Sequence, residues 1–386
     1  MENQFPNLDS VISCPSAGRC SGCLWIGRSH ADQLEEKWQG FRRLWLSAGL
    51  PEPALERARW RIVASSGLRD RVDLIFKREG ENGRLGLYSL ERGRVEPIEQ
   101  CPQMSPELHA WFEEVRGNPP PIQAGSLRLR VSPSGRRGIW LDFANLDVKK
   151  LLESGDWLEW LSARAVVEVG QRRKRLVRRE RGWSLADPEL EYWMPTFLGD
   201  RPQALYSVIG GFTQVGFRAN RAIVEEVMRA LPARVEGAWL ELGTGNGNLT
   251  LPLARAGAGV RACEIDELAL AGLKRSAEEA GLSDRIVSHR LSFHRPSPGA
   301  RDLLEGVRGI LADPPRSGLL QFPELLSGMS REALPKHFIY LSCLAESFVT
   351  DVAALYALGY RLRSLVGIDQ FPQTPHAEWL GALERD

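Results

Sequence analysis

From about Leu205 onward the chain repeats one pattern: a short apolar run, a turn or loop, a helix-length segment, then another apolar run. The runs are Ala238 to Leu242, Val260 to Glu264, Gly309 to Asp313 and Phe338 to Ser342. Strands separated by connections of that length are joined by crossovers, which make neighbours parallel and place helices on both faces. The expectation is an α/β fold: a Rossmann-like, doubly wound sheet over residues 205–386. Such sheets bind ligands beyond the carboxyl ends of their strands, so the residues just after each run are where chemistry is sought.

The first half reads differently. A helix is expected from His30 to Ala48, with Leu34, Trp38, Phe41 and Trp45 on one stripe. Strands are expected at 61–64, 71–76, 85–90 and 127–132, and the Gly-Asn-Pro-Pro-Pro stretch at 117–121 is a loop by composition. With 386 residues the chain exceeds what one core usually supports. This predicts three parts: a cysteine-bearing segment at 1–28, a central α+β domain at 29–204 and the sheet domain at 205–386.

Lys and Arg total 50 against 49 Asp and Glu, so any affinity for nucleic acid must come from local clusters. The opening Met1 to Pro6 has neither a basic nor an apolar leader region, and no run of about 18 apolar residues is present. A soluble, cytoplasmic monomer with no membrane partner is expected. Six cysteines are too few for a disulfide scaffold, and Cys14, Cys20 and Cys23 are spaced as metal ligands in a reducing compartment. Cys101 would complete four thiolates, enough for a four-iron cluster or a tetrahedral zinc.

Gly243, Gly245 and Gly247 follow one expected strand, where they can turn sharply and expose backbone N–H groups; Asn248 lies just beyond. Glu264 ends the next strand, a position from which a carboxylate can accept from ribose hydroxyls. A nicotinamide dinucleotide and S-adenosylmethionine both suit that arrangement. Asp313-Pro314-Pro315-Arg316 ends a later strand, and a dinucleotide dehydrogenase has no need of it.

Cys343 follows the last run, and Glu378 lies in Phe371-Pro372-Gln373-Thr374-Pro375-His376-Ala377-Glu378. A thiolate that adds to C6 of uracil makes C5 nucleophilic, and a carboxylate can then remove the C5 proton so that the thiol is expelled. The ordered motifs Phe212-x-Gln214, Glu241-Leu242-x-x-Gly245-x-Gly247, Asp313-Pro-Pro-Arg316, Ser342-Cys343 and Phe371 to Glu378 resemble the RNA uracil-5-methyltransferase family. The resemblance implies 5-methyluridine formation in RNA with S-adenosylmethionine, Cys343 as nucleophile and Glu378 as base. It implies cofactor contacts from Gln214, Gly243, Gly245, Asn248, Glu264 and Asp313, with Gln214 also touching the base. Asp313 would hold either the cofactor amino group or the uracil edge.

The spacing of Cys14, Cys20, Cys23 and Cys101 resembles the [4Fe-4S] site of some members, with zinc as the alternative; four thiolates would saturate the iron. The chain departs from the family pattern where Leu344-Ala345 replace Asn-Pro, where Gly243 replaces an aromatic residue and where Gly216 replaces an asparagine. Cys263 has no matching role and is expected only to pack.

The basic run from Arg172 to Arg181, beside Trp183, is expected to hold RNA phosphates, with Arg69, Arg71, Arg136 and Arg137 extending that surface. Phe212 could stack on a flipped uridine. Ribosomal RNA is favoured and transfer RNA possible: the cysteines and the lack of an extra N-terminal β-barrel resemble the former enzymes, whereas Gly245 to Asn248 and Asp369 to Pro372 resemble the latter. Two rival classes stand beside this reading: a non-catalytic RNA-binding protein that keeps the fold, and a redox protein that uses the cysteines.

Overall fold

The computed structural model describes residues 8–79, 82–91, 93–171, 173–292 and 298–385. Ser29 caps the first helix, α1 (His30–Ser47), by accepting the Asp32 N–H. α1 buries Leu34, Phe41 and Trp45, as its apolar spacing demands, and also His30, Gln33 and Lys37. A short strand, β1 (Ala58–Ile62), follows.

Next come β2 (Arg71–Glu79), β3 (Asn82–Tyr88), β4 (Val95–Pro97), α2 (Pro106–Gly117), β5 (Ala124–Val131) and β6 (Arg137–Asp142). Two short helices, α3 (Asn145–Leu152) and α4 (Gly155–Ser162), lead to β7 (Val166–Val169), β8 (Lys174–Arg179) and β9 (Gly182–Ala186). These eight strands form one sheet in the order β4-β3-β2-β5-β6-β7-β8-β9, antiparallel except where the two helices carry the chain across from β6 to β7. Helix α2 covers it with Leu108, Trp111, Phe112 and Val115.

A hairpin, β10 (Glu191–Leu198) with β11 (Arg201–Ser207), leads into the second large sheet. Its elements are α5 (Phe217–Ala230), β12 (Ala238–Leu242), α6 (Thr250–Arg255), β13 (Gly259–Glu264), α7 (Glu267–Glu279), β14 (Ile286–Arg290) and β15 (Val307–Ala312). They continue through α8 (Phe322–Ser327), β16 (His337–Ser342), α9 (Ala345–Ala357), β17 (Arg361–Asp369) and β18 (Glu378–Glu384). The order is β14-β13-β12-β15-β16-β18-β17-β1. Along β16, Phe338 and Tyr340 join the apolar layer on one face while Ile339 and Leu341 join the layer on the other, as a strand buried on both sides requires.

Two expectations are corrected. The sheet is mixed rather than wholly parallel, because β18 runs antiparallel to both β16 and β17; a connection as short as residues 370–377 allows a return strand but no crossover. Residues 30–62, expected with the central segment, pack on the C-terminal sheet instead. Strand β1 pairs in parallel with β17, placing Ile62 opposite Asp369. Helix α1 stacks Phe41 on Trp379 with ring centroids 3.9 Å apart, a large apolar contact that local strand and helix signals do not report. Among the described residues no helix is long and apolar enough to cross a membrane.

Candidate active site

The order of the C-terminal sheet reverses between β12 and β15, and the two strands end in register, Leu242 opposite Ala312. Gly243, Asp313, Glu264 and Cys343 therefore leave the sheet at one edge, at or just past the ends of β12, β15, β13 and β16. Gly243 has φ +80°, and a Cβ there would lie 2.4 Å from the Asp313 carbonyl oxygen, so only glycine lets these strand ends approach. The Glu264 carboxylate accepts from the Gly245 N–H at 3.0 Å, the Ile265 N–H at 2.7 Å and the Asp266 N–H at 2.9 Å. Ile265 beside it is 61% exposed, an apolar surface at the mouth of the loop.

Asn248 is occupied structurally. Its side-chain amide and that of Asn220 bond reciprocally at 2.8 and 2.7 Å, and Asn220 also donates to the Pro195 carbonyl. The Thr196 hydroxyl donates to the Asn248 carbonyl at 2.6 Å. These bonds pin the end of the glycine loop to α5 and β10, a role the sequence reading did not foresee.

Cys343, half-buried, follows Ser342 directly, and Glu378 is the first residue of β18. Gln370 donates to one Glu378 oxygen, Oε1, at 2.6 Å, while Oε2 is buried without a partner. The same Gln370 nitrogen lies 3.4 Å from Gln214 Oε1. Burial, then the charge of Asp313, pushes the Glu378 carboxyl up to about 8, with Gln370 opposing. Burial pushes Asp313 up to about 7. The Cys343 thiol is pushed up to about 11 by burial and then by Glu378 and Asp313, against Arg316. The cleft thus holds three acidic groups, all raised by burial; the charge of Asp313 raises Glu378 further, and both carboxylates raise Cys343.

Phe212, Thr213 and Gln214 enclose a cavity of about 30 Å³ with Gly243, Thr244, Gly245, Asn246, Asn248 and Asp313. Their segment is bolted to the first sheet. Glu168 accepts from the Ile209 and Gly210 N–H groups, and the fully buried Arg130 donates to the Thr213 hydroxyl at 3.0 Å. Arg71, expected on an RNA surface, donates to the Thr213 carbonyl and lies 5.8 Å from the Phe212 ring centroid. Phe212 is left 69% exposed at the cleft.

Gln370, Asp369, Arg130 and Glu168 went unrecognised as site residues. Only the Asp-Gln dipeptide just before the Glu378 motif hinted at the first two, and nothing local marks the others. Cys263 is fully buried in the core of the second sheet.

Cys14, Cys20, Cys23 and Cys101 line one cavity of about 180 Å³ with Ile26, Arg69 and Leu87 among its walls. The Gly22 N–H donates to Cys20 Sγ at 3.3 Å. Burial first, and the other thiols as well, raise Cys23 to about 12, and Cys20 and Cys101 are also raised. Among the described residues no group of three or more His, Cys, Asp or Glu is arranged to hold a single metal ion.

Arg172 lies outside the described residues. Of the remaining basic run, Arg173 pairs with Asp266, Lys174 with Asp187, Arg175 with Glu189 and Glu191, and Arg178 with Glu159. Arg136 and Arg137 pair with Glu191 and Glu114. The run is a hairpin, β8 with β9, laced by acids rather than a bare cationic strip.

The glycine loop after β12 and the Glu264 carboxylate at the end of β13 lie beside the point where the strand order reverses, and Cys343 leaves β16, the neighbour of β15, an arrangement in keeping with a methyltransferase of the Rossmann-like class. The model of the tRNA (uracil-5-)-methyltransferase family matches residues 197–385. An uncharacterized RNA methyltransferase of Bdellovibrio bacteriovorus is 38% identical over 99% of this chain and 98% of its own length. A 23S rRNA (uracil(1939)-C(5))-methyltransferase of Shewanella denitrificans is 27% identical over 100% of this chain and 84% of its own. The structure of Pyrococcus abyssi tRNA (uracil-54, C5)-methyltransferase in complex with S-adenosyl-L-homocysteine shares the fold, with a TM-score of 0.67 and 21% identity over 97% of this chain and 87% of that one. The chain belongs to the RNA uracil-5-methyltransferase family.

Proposed function

We propose that this enzyme methylates C5 of a uridine in ribosomal RNA through a covalent bond between Cys343 and C6 of the base. The observation that carries the reading is the convergence of Cys343, Glu378 and Asp313: Ser342 pairs with Trp379, which sets Cys343 beside Glu378, and Asp313 lies against Gly243 of the glycine loop. The choice of ribosomal RNA is supported by the full-length match to the Shewanella enzyme, which acts on 23S rRNA.

The groove suits S-adenosylmethionine: Glu264 would receive the ribose hydroxyls, Ile265 would lie against the adenine, and Gly243, Gly245, Asp313 and Gln214 would hold the methionine part. Asn248 supports that wall from behind. When bound, the cofactor supplies a methyl group on a positively charged sulfur. Cys343 gives up its thiol proton to solvent and adds as thiolate to C6, and the electrons of the C5–C6 double bond move to C5 and the C4 carbonyl as an enolate. After C5 has gained its methyl group, Glu378 Oε2 takes the C5 proton, the C5–C6 double bond re-forms, and the Cys343 thiolate leaves with the electrons of the C–S bond. Phe212 offers a face on which a flipped base can stack.

Cys14, Cys20, Cys23 and Cys101 line one cavity of about 180 Å³ and, once deprotonated, would be the ligands of a [4Fe-4S] cluster; without one, burial favours the protonated thiols at Cys20, Cys23 and Cys101. The cluster would serve structure or RNA positioning. Residues 71–186 would bind RNA through their sheet, and residues 205–386 with 30–62 would carry the chemistry.

The test incubates the purified protein with labelled S-adenosylmethionine and separated ribosomal and transfer RNA from cells that lack it, and maps the base. Label in 5-methyluridine of ribosomal RNA is expected, lost in Cys343→Ala. Label in transfer RNA alone would move the substrate, and label on cytosine, on adenine or on neither pool would overturn the reading.

A further inference from the structure

The buried polar stripe of α1 has no part in the chemistry above, yet it grips the segment that leads into Glu378. His30, Gln33 and Lys37 are 0%, 0% and 4% exposed on a helix whose other buried positions are apolar. Groups of that kind are costly to bury unless each finds a partner. Apart from the Arg28 carbonyl, which accepts from Gln33 at 3.0 Å, their partners lie at the end of β17 and in the connection to β18. His30 Nε2 meets one Asp369 carboxylate oxygen at 2.6 Å, and the Lys37 ammonium donates to the other at 2.6 Å and to the Phe371 carbonyl at 3.1 Å.

Gln33 makes a two-way bond with Gln373: its oxygen accepts the Gln373 N–H at 2.7 Å, and its nitrogen donates to the Gln373 side-chain oxygen at 2.9 Å. Gln373 is held at φ +67°, a left-handed conformation that a non-glycine residue keeps only where its surroundings over-determine it. Its carbonyl accepts from the Trp25 N–H, just past Cys23, and its side chain donates to Ser65. Gln370 sits between these two anchored residues, and it is Gln370 that donates to Glu378 Oε1 and leaves Oε2 free.

We propose that His30, Gln33 and Lys37 are positioning residues for proton removal: through Asp369 and Gln373 they fix Gln370, and Gln370 aims the free oxygen of Glu378 at C5. The proposal rests on the covalent reading above. It separates the two halves of the reaction, because bond formation by Cys343 and methyl transfer need no proton from C5, whereas release of the product does.

The experiment uses the full-length protein, tritiated S-adenosylmethionine and total RNA from cells lacking the enzyme, and follows both methylated RNA and the SDS-stable protein–RNA adduct in a single turnover. In Gln33→Met, methyl transfer stays within about twofold of the unmodified protein while the labelled adduct persists at least about tenfold longer, and kcat falls with KM for RNA unchanged. Lys37→Met combined with Asp369→Asn removes the buried pair as a unit and should behave alike. An adduct lifetime equal to wild type in both variants, or equal slowing of transfer and release, overturns the proposal. If the wild-type protein methylates RNA but traps no adduct on 5-fluorouridine RNA, the covalent reading itself has failed.

Discussion

Glu378 must be ionised to accept a proton, yet the fold pushes its carboxyl up to about 8. The active fraction therefore grows with pH across the neutral range, and release of product should quicken about tenfold per unit between pH 6 and 7.5, levelling off above about 8.5. Adduct decay measured across that range checks the slope; a flat profile would remove Glu378 from the step.

The same shift has a thermodynamic side. A carboxyl whose folded value lies above its unfolded value of about 4.5 gives stability that is full below about 4.5 and lost as pH rises through about 8. Glu378→Gln should therefore leave Tm close to wild type at pH 5 and raise it relative to wild type at pH 9, as read by thermal unfolding without substrate. Cys343 and Glu378 stand out in the sequence because their chemistry is unusual for their neighbourhood. The coupling of Asp313, Gln214 and Gln370 to them does not stand out, since it arises from strand ends brought together by pairing.

The glycine loop shows how far local patterns reach at the scale of an element. Three glycines after an apolar run announced the turn, and all three have positive φ. What the pattern left out is why the loop stays in place: the Asn220–Asn248 amide pair joins it to a helix whose first turn gives no such signal. Asn220→Ala leaves a buried amide half-unsatisfied and should cost about 1–3 kcal/mol of stability by urea unfolding, with weakened cofactor binding by calorimetry. Gly243→Ala puts a methyl against the Asp313 carbonyl and should lower cofactor affinity more than tenfold in the same measurement, because the two strand ends must part.

The basic hairpin teaches the converse. Its positive charges are legible in the sequence, while the acids that neutralise them come from α4, from α7's N-cap and from residues 187–191.

On the scale of the whole molecule, the C-terminal sheet is finished by residues far ahead of it. Strand β1 covers the edge of β17, and α1 contributes Phe41 and Trp45 to an apolar layer with Phe348 and Trp379. A fragment that begins at residue 63 would expose that edge and that layer. It should be insoluble or lose its near-UV circular dichroism, although all the residues named in the covalent step remain.

Sequence alone determined the alternation of strands and crossovers and the glycine turn, which are written in local spacing, and its ordered motifs marked Cys343 and Glu378 as candidates through the family resemblance. Tertiary structure alone decided that α1 would serve the catalytic sheet, that β18 would run against its neighbours, and that buried His30, Gln33 and Lys37 would find partners more than three hundred residues away. The physical reason is that a polar group's burial is set by whatever packs over it, and no window of sequence contains its partner.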